Sequence, residues 1–261
     1  MNEQLTKDYE EYKGQGRIWG GVPQENIRKI KYPRIDKTII KGFLALDDLT
    51  GTISDVLDSL GLYGVVPGSY LSPIIPGTKI AGTAITLRSV PERKTATQGL
   101  HDKDFIRMAT RDTHYLAEPG DIFVADFGGN IEVSNMGGQS VAVAMTRGVA
   151  GAVINGAVRD VSSFRSRNFP TWCRGTTPIT GKCRMQAIEI NGPVCIHDVL
   201  VEPGDLIVAD DSGVCAVPAG KVGSVLEKCQ GIIKEEAVMR GLIEKDTPIS
   251  ELKPLYRKRY S

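Results

Sequence analysis

Hydrophobic and polar positions are distributed unevenly along the 261 residues, and the change in texture divides the chain. The first 40 or so residues mix charge, glycine and proline with scattered apolar positions, as in EEYKGQGRIWGGVPQENIRKIKYPRIDK. This predicts a short helix over about residues 3 to 13 and then an arm that lies on its own chain or on a neighbouring subunit. From Leu46 the spacing turns helical. Ile53, Val56, Leu57 and Leu60 share one face, Thr50 and Thr52 offer capping hydroxyls, and Gly61 marks the stop. GTKIAGTAITLRSV (77–90) alternates small, apolar and β-branched residues as a strand does, and HDKDFIRMATRDTHYL (101–116) returns to helical character.

Two later segments resemble each other: LAEPGDIFVADFGG (116–129) and LVEPGDLIVADDSG (200–213). Each runs from a Glu-Pro-Gly-Asp turn through an apolar strand to Ala-Asp and a glycine-containing loop. A single Pro-Gly-Asp is a common turn before a strand, but two copies in this register predict equivalent strands in one sheet system. Between them stand two strand-to-helix transitions, one through Gly137-Gly138 into QSVAVAMTRG and one through GAVINGAVRD (151–160) into VSSFRSR. After residue 213 a strand, a break at Pro218 and a long helix interrupted at Gly231 complete a mixed α/β pattern.

Composition narrows the function. Lys plus Arg (32) nearly balances Asp plus Glu (31), and a net charge of +1 gives no global field for nucleic acid or an acidic membrane. No apolar run approaches the roughly 18 residues of a membrane helix, and the N-terminus is too polar for a secretory signal, so a cytoplasmic protein is expected. Cys173, Cys183, Cys195, Cys215 and Cys229 are odd in number without metal-site spacing, which predicts reduced, mostly buried thiols. His101, His114 and His197 are scattered and read as structural or surface residues. Ser140 lacks a Gly-x-Ser-x-Gly elbow, which argues against a serine hydrolase, and the basic LYRKRYS (255–261) reads as a solvated end.

The chemistry concentrates in GAVINGAVRD. Its apolar run reads as a strand buried on both faces, although Asn155-Gly156 also suits a hairpin turn. Arg159 can grip a carboxylate or enolate oxygen with two N–H bonds, and Asp160 can offer a hard oxygen to Mg2+ or Mn2+. Asp160 can equally be the cap or first-turn acid of the following helix, beside an exposed arginine. Upstream, Gly137, Gly138, Gln139 and Ser140 open a small-residue helix whose first amides suit an anion. Together the two loops suit one ligand, a 2-oxo acid held by its carboxylate at one loop and by a cation at the other.

PGTKIAGTAITLR, EPGDIFVADFGG, RGVAGAVINGAVRDVSSFRSRNFPTWCRGTTP and VEPGDLIVADDSGVCAVP occur in the order and spacing of the RraA-like family, which the chain resembles over about residues 45–240. That family includes divalent-metal 4-hydroxy-4-methyl-2-oxoglutarate/4-carboxy-4-hydroxy-2-oxoadipate aldolases, class II enzymes that release pyruvate and often decarboxylate oxaloacetate. The resemblance implies a swivelling-type α/β/β/α sandwich, assembled as trimers or pairs of trimers with sites between subunits. It divides the chain into an N-terminal extension (1–44), a catalytic domain (45–240) and a C-terminal tail (241–261). It also implies that Arg159 contacts the oxo or enolate oxygen, Asp160 ligates the metal, and the amides of Gly137 to Ser140 hold the pyruvate carboxylate. Glu236 matches an acid lent by the neighbouring subunit to hold water at the metal, with Glu235 as the alternative.

Two positions depart from the aldolase pattern. Gly138 stands where those enzymes carry an acid in a Gly-acid-Leu-Leu loop, and Asn155 where they read Asp-Gly-Ala-Val-Arg-Asp. The first change removes an acid/base relay, and the second removes negative charge near the cation. The family also contains protein-binding regulators of an RNA-degrading enzyme, but Arg159 and Asp160 retained together point to a lyase acting through a pyruvate enolate.

Overall fold

The two repeated segments lie against opposite edges of one strand. The computed structural model describes residues 3–104 and 107–259, with side chains through residue 255. Phe105 and Ile106 of the expected helical stretch, and Tyr260 and Ser261 of the basic tail, lie outside the described residues. In chain order the elements begin with α1 (Glu3–Gly14), α2 (Lys37–Leu44), α3 (Leu49–Ser59), β1 (Val65–Pro67), β2 (Ser72–Pro73) and β3 (Ile80–Pro91). The centre comprises α4 (Ala96–His101), α5 (Thr110–Leu116), β4 (Ile122–Asp126), β5 (Ser134–Met136), α6 (Gly138–Thr146), β6 (Gly151–Val158) and α7 (Val161–Ser166). Then follow β7 (Thr171–Thr176), β8 (Met185–Ile190), β9 (Val194–Ile196), β10 (Val199–Val201), β11 (Leu206–Asp210) and β12 (Gly213–Val217). The last helices are α8 (Val222–Ile243) and α9 (Ile249–Arg259).

The main sheet runs β1-β12-β11-β3-β4-β6-β7-β2, with β5 beside β6 and β8 beside β3, while β9 and β10 form a separate hairpin. The first repeat supplies β4, parallel to β3, and the second supplies β11, antiparallel to it. Each preceding turn closes the same way. Asp121 accepts the Glu118 N–H and Asp205 accepts the Glu202 N–H, both at 2.9 Å. Gly120 and Gly204 take φ values of 96° and 106°, a region that a side chain would strain.

Alternation along the strands sorts side chains into layers. Ile122, Val124, Val153, Ile207, Ala209, Val214 and Ala216 share one inner core with Trp172. Their neighbours Phe123, Ala125, Ala152 and Ile154 face an outer core that includes residues of α5, α6 and α7. Leu206, Val208, Cys215 and Val217 face a second outer core with α2, α3 and α8. Two sheet halves thus meet face to face with helices outside each, and β3 passes from one half to the other. This is the mixed α/β sandwich the sequence predicts.

Several local expectations change. Asn155-Gly156 makes no hairpin turn and lies inside β6, and α8 continues through Gly231. Thr50 does not cap α3 from outside. It sits in the first turn, where its N–H and hydroxyl both donate to Asp210 at 3.0 and 2.6 Å, so the cap comes from the end of β11. The stretch 101–116 divides into α4 and α5, with Ala109 in the left-handed region before α5. The N-terminal segment lies on its own chain: Tyr12 is buried and donates to Glu118 at 2.8 Å, and Arg34 pairs with Asp121 at 2.9 Å. Four cysteines are buried and Cys195 is exposed, all as free thiols. No described helix is long and apolar enough to cross a membrane.

His114, on α5, is fully buried with its ring edge-on to Phe123 at 4.6 Å, and neither ring nitrogen has a hydrogen-bond partner among the described residues. Burial, helped by the nearby Arg111 charge, lowers its pKa from 6.5 to about 3. The unfolded chain therefore takes up this proton first as pH falls below 6.5, and stability declines towards pH 3 by about 1.4 kcal/mol per unit. His114→Phe should remove that slope. Denaturant melts at pH 7 and pH 5 should show the variant gaining about 2 kcal/mol relative to wild type at the lower pH, and an unchanged difference would contradict the assignment.

Candidate functional site

The two glycine-bounded transitions form one site because their strands are neighbours. β5 and β6 are parallel, with Ser134 beside Ala157 and Met136 beside Val158, and the Arg159 N–H donates to the Met136 carbonyl at 2.9 Å. Both strands leave the sheet at the same end, so α6 and α7 begin side by side.

Asp160 takes φ 55° and ψ 45°, a left-handed conformation that costs a non-glycine residue about 1 kcal/mol. It stands at the start of α7 but makes no side-chain cap there. Its Oδ2 instead accepts the Gly138 N–H at 3.0 Å and lies 3.6 Å from Arg159 Nε, so this acid caps the neighbouring helix. A negative charge there also suits the positive end of the α6 dipole. Gly138 N–H being taken, the first-turn amides of Gln139 and Ser140 are left without helical acceptors to meet a ligand.

The glycines are dictated by close approach. A Cβ on Gly137 would stand 2.7 Å from Asp160 Oδ2 and 3.0 Å from Arg159 Cγ and Nε. One on Gly138 would stand 2.6 Å from Ser163 Oγ. The place from which the aldolases project an acid is therefore occupied by a hydroxyl of α7.

Arg159, Gly137, Gln139 and Ser140 line a cavity of about 190 Å3. Asn155 does not join them. Its side chain, 5% exposed, accepts from the Tyr70 hydroxyl at 3.0 Å and donates to Asp126 Oδ1 and the Cys195 carbonyl at 3.3 and 3.2 Å. Replacing an acid at this position thus alters a hydrogen-bond network beside the β9-β10 hairpin rather than the charge next to Asp160. Glu236 lies on α8, which packs on α2 and α3, and it does not line the cavity of its own chain.

The cavity also holds residues that sequence patterns did not single out. Arg111 donates to Gln139 Oε1 at 2.6 Å and, with Lys182 and Arg159, makes the walls positive. Asp112 accepts the Gly21 N–H at 2.7 Å, and its burial raises its pKa. Trp19 reaches the cavity from the N-terminal arm. Asn135 lines it from the middle of β5, 3% exposed, with neither polar side-chain atom partnered among the described residues. Leaving such a group unpaired costs about 1–3 kcal/mol. The one available signal was an amide between otherwise buried positions, two residues before the glycine pair.

The family model of RraA-like proteins, Aldolase/RraA, matches residues 50–216. Protein DlpA of Legionella pneumophila subsp. pneumophila is 31% identical over 196 residues, covering 75% of this chain but only 30% of DlpA. A protein of Halalkalibacterium halodurans named "Putative 4-hydroxy-4-methyl-2-oxoglutarate aldolase" is 33% identical over 181 residues, 69% of this chain and 78% of that protein. The crystal structure of Streptomyces coelicolor RraAS2, described as an unusual member of the RNase ES inhibitor RraA protein family, is similar with a TM-score of 0.68 and 26% identity. It covers 80% of this chain and 99% of that one. Arg159, Asp160 and the glycine pair fall inside the matched region, whereas Trp19 and Glu236 fall outside it.

The glycine contacts make a prediction. Gly138→Ala should lower stability by about 1–3 kcal/mol through its clash with Ser163. In a Ser163→Ala background the loss should shrink by about half or more, a coupling that chemical denaturation of the four proteins would measure; additive effects would mean that the clash is not the cause.

Proposed function

Because this chain belongs to the RraA-like family, with residues 50–216 matching the Aldolase/RraA model, we propose that it is a carbon–carbon lyase acting on a small 2-oxo acid. The observation that carries this reading is the convergence of Arg159 and the first turn of α6 at one cavity, with Asp160 bonded to Gly138 and next to Arg159. The substrate's carboxylate binds the Gln139 and Ser140 amides, where the α6 dipole and two free N–H groups favour an anion. Its 2-oxo oxygen faces the Arg159 guanidinium. Breaking the bond beyond C3, by retro-aldol cleavage or by loss of CO2, sends the electron pair onto that oxygen as an enolate. Arg159 hydrogen bonds more strongly to the developing oxyanion than to the ketone, which lowers the barrier. No Schiff-base lysine is needed.

The donor set suits a hard cation. Among the described residues no three His, Cys, Asp or Glu side chains gather to hold a metal by themselves, and Asp160 is the carboxylate beside Arg159 that this reading assigns to the cation. Mg2+ and Mn2+ fit such a set, since an ion of this kind is held by one or two carboxylates with water and substrate oxygens completing its shell. When bound, it would act as a Lewis acid on the oxo group. Gly138 provides no acid for proton transfer. Glu236, lent by a neighbouring copy in a trimer or a pair of trimers, is the group to which this reading assigns that task. The working unit is the domain of residues 45–240.

The test is pyruvate release from oxaloacetate and from 4-hydroxy-4-methyl-2-oxoglutarate, with and without Mg2+ or Mn2+. Release should require the cation, fall about 10^2–10^3-fold in Arg159→Ala, and lose its cation response in Asp160→Asn. Release that survives either substitution unchanged would overturn the assignment. No release by wild type, with no binding of the pyruvate analogue oxalate, would favour a protein-binding regulator.

A further inference from the structure

The proposed reaction leaves Arg111 without a task. This residue of α5 lines the cavity beside the first turn of α6, and one of its N–H groups donates to Gln139 Oε1 at 2.6 Å. The other N–H groups of its guanidinium have no partner among the described residues and are open to solvent. Among the described residues no carboxylate pairs with it, although Arg159 and Lys182 stand in the same cavity. A guanidinium held among like charges without an acid is completed by an anionic ligand.

The conformation of this arginine is set in advance. Its guanidinium lies over the Trp19 ring, 5.7 Å from the centroid, and Trp19 stacks in turn on Tyr115 at 5.6 Å. The N-terminal arm is clamped on either side of Trp19. Two residues before it, Arg17 donates to the Tyr115 and Ala117 carbonyls at 2.9 and 2.7 Å and pairs with Glu118. Two residues after it, the Gly21 N–H donates to Asp112 at 2.7 Å. Arg111 lies within the region that the family model matches, and Trp19 lies before it. The shared domain therefore supplies the arginine, and this chain's own extension fixes it.

We infer that Arg111 is a further ligand-binding residue of the cavity, pairing with the carboxylate held at the first turn of α6, and that Trp19 is the positioning residue that keeps it there. An arginine fixed between an aromatic ring and an amide oxygen loses little freedom when an anion arrives, so its open donors strengthen binding at low entropic cost. Lysine has neither a planar group to rest on the indole nor a fork to match a carboxylate. The inference rests on the reading that places a carboxylate at the first turn of α6, and the test separates the two.

Oxalate is titrated into the full chain, with Mg2+ present throughout, and followed by calorimetry and by tryptophan fluorescence. The chain has two tryptophans. Trp172 is fully buried with its indole N–H bound to the Asp210 carbonyl, whereas Trp19 is 46% exposed, so a change in emission reports on Trp19. In wild type, oxalate should change the emission over the same concentrations at which calorimetry detects binding. Arg111→Met should weaken oxalate about tenfold or more and abolish the change in emission. Arg111→Lys should recover part of the affinity, and Trp19→Ala should weaken oxalate about threefold. The double variant Arg111→Met/Trp19→Ala should bind no more weakly than Arg111→Met, because Trp19 acts through the arginine. Unchanged affinity in Arg111→Met, additive losses in the double variant, or wild-type binding without a change in emission would overturn the inference and leave the carboxylate to the α6 amides. A wild type that binds no oxalate would overturn the carboxylate site itself, and this inference with it.

Discussion

The hydrogen bond from the Gly138 amide to the Asp160 carboxylate ties two separate strand-to-helix turns into one structure. It forms because parallel β5 and β6 end together and because Asp160 adopts a left-handed conformation that turns its side chain away from its own helix. Arg159 follows from the same arrangement, its main chain fixed to Met136 and its side chain lying over a glycine that has no room for a Cβ. Local strain is thus maintained at the cavity by the surrounding sheet. Ala109, which also lines it, has a positive φ as well.

The sheet can hold this strain because it is buried on both faces. Each strand of the central region divides its side chains between an inner core and an outer one, so a shift of register would expose an apolar set on either side. The repeated Glu-Pro-Gly-Asp turns set that register on the two sides of β3 through identical Asp-to-amide bonds. The N-terminal arm then covers the helical face through Tyr12, Arg17 and Arg34, and brings Trp19 to the cavity.

Much of this was legible in the sequence where a local pattern has one physical solution. The fourteen-residue repeats predicted equivalent strands in one sheet system, and GAVINGAVRD with the upstream glycine pair marked two strand-to-helix transitions that the fold brings side by side. What was hidden depends on contacts between distant residues. Nothing near Thr50 reveals that Asp210 caps its helix. Asp160 looks like a cap for α7, and only the parallel pairing of β5 with β6 shows that it serves α6. Asn155 reads as a loss of negative charge near the cation because the aldolases carry an acid there, yet its amide is bound to Tyr70, Asp126 and the Cys195 carbonyl. Asn135 and Trp19 lacked any motif, since an unpaired amide and a cavity wall exist only once the chain has folded.

On the proposed reading an anion at the first turn of α6 and a cation at Asp160 lie close enough to bind as one ligand pair. Calorimetric titration of oxalate into the full chain, with and without saturating Mn2+, tests it most directly. If both bind there, Mn2+ should tighten oxalate, and oxalate should tighten Mn2+ by the same factor, about 5- to 150-fold. Oxalate binding of equal strength in the two titrations, or none in either, would contradict it.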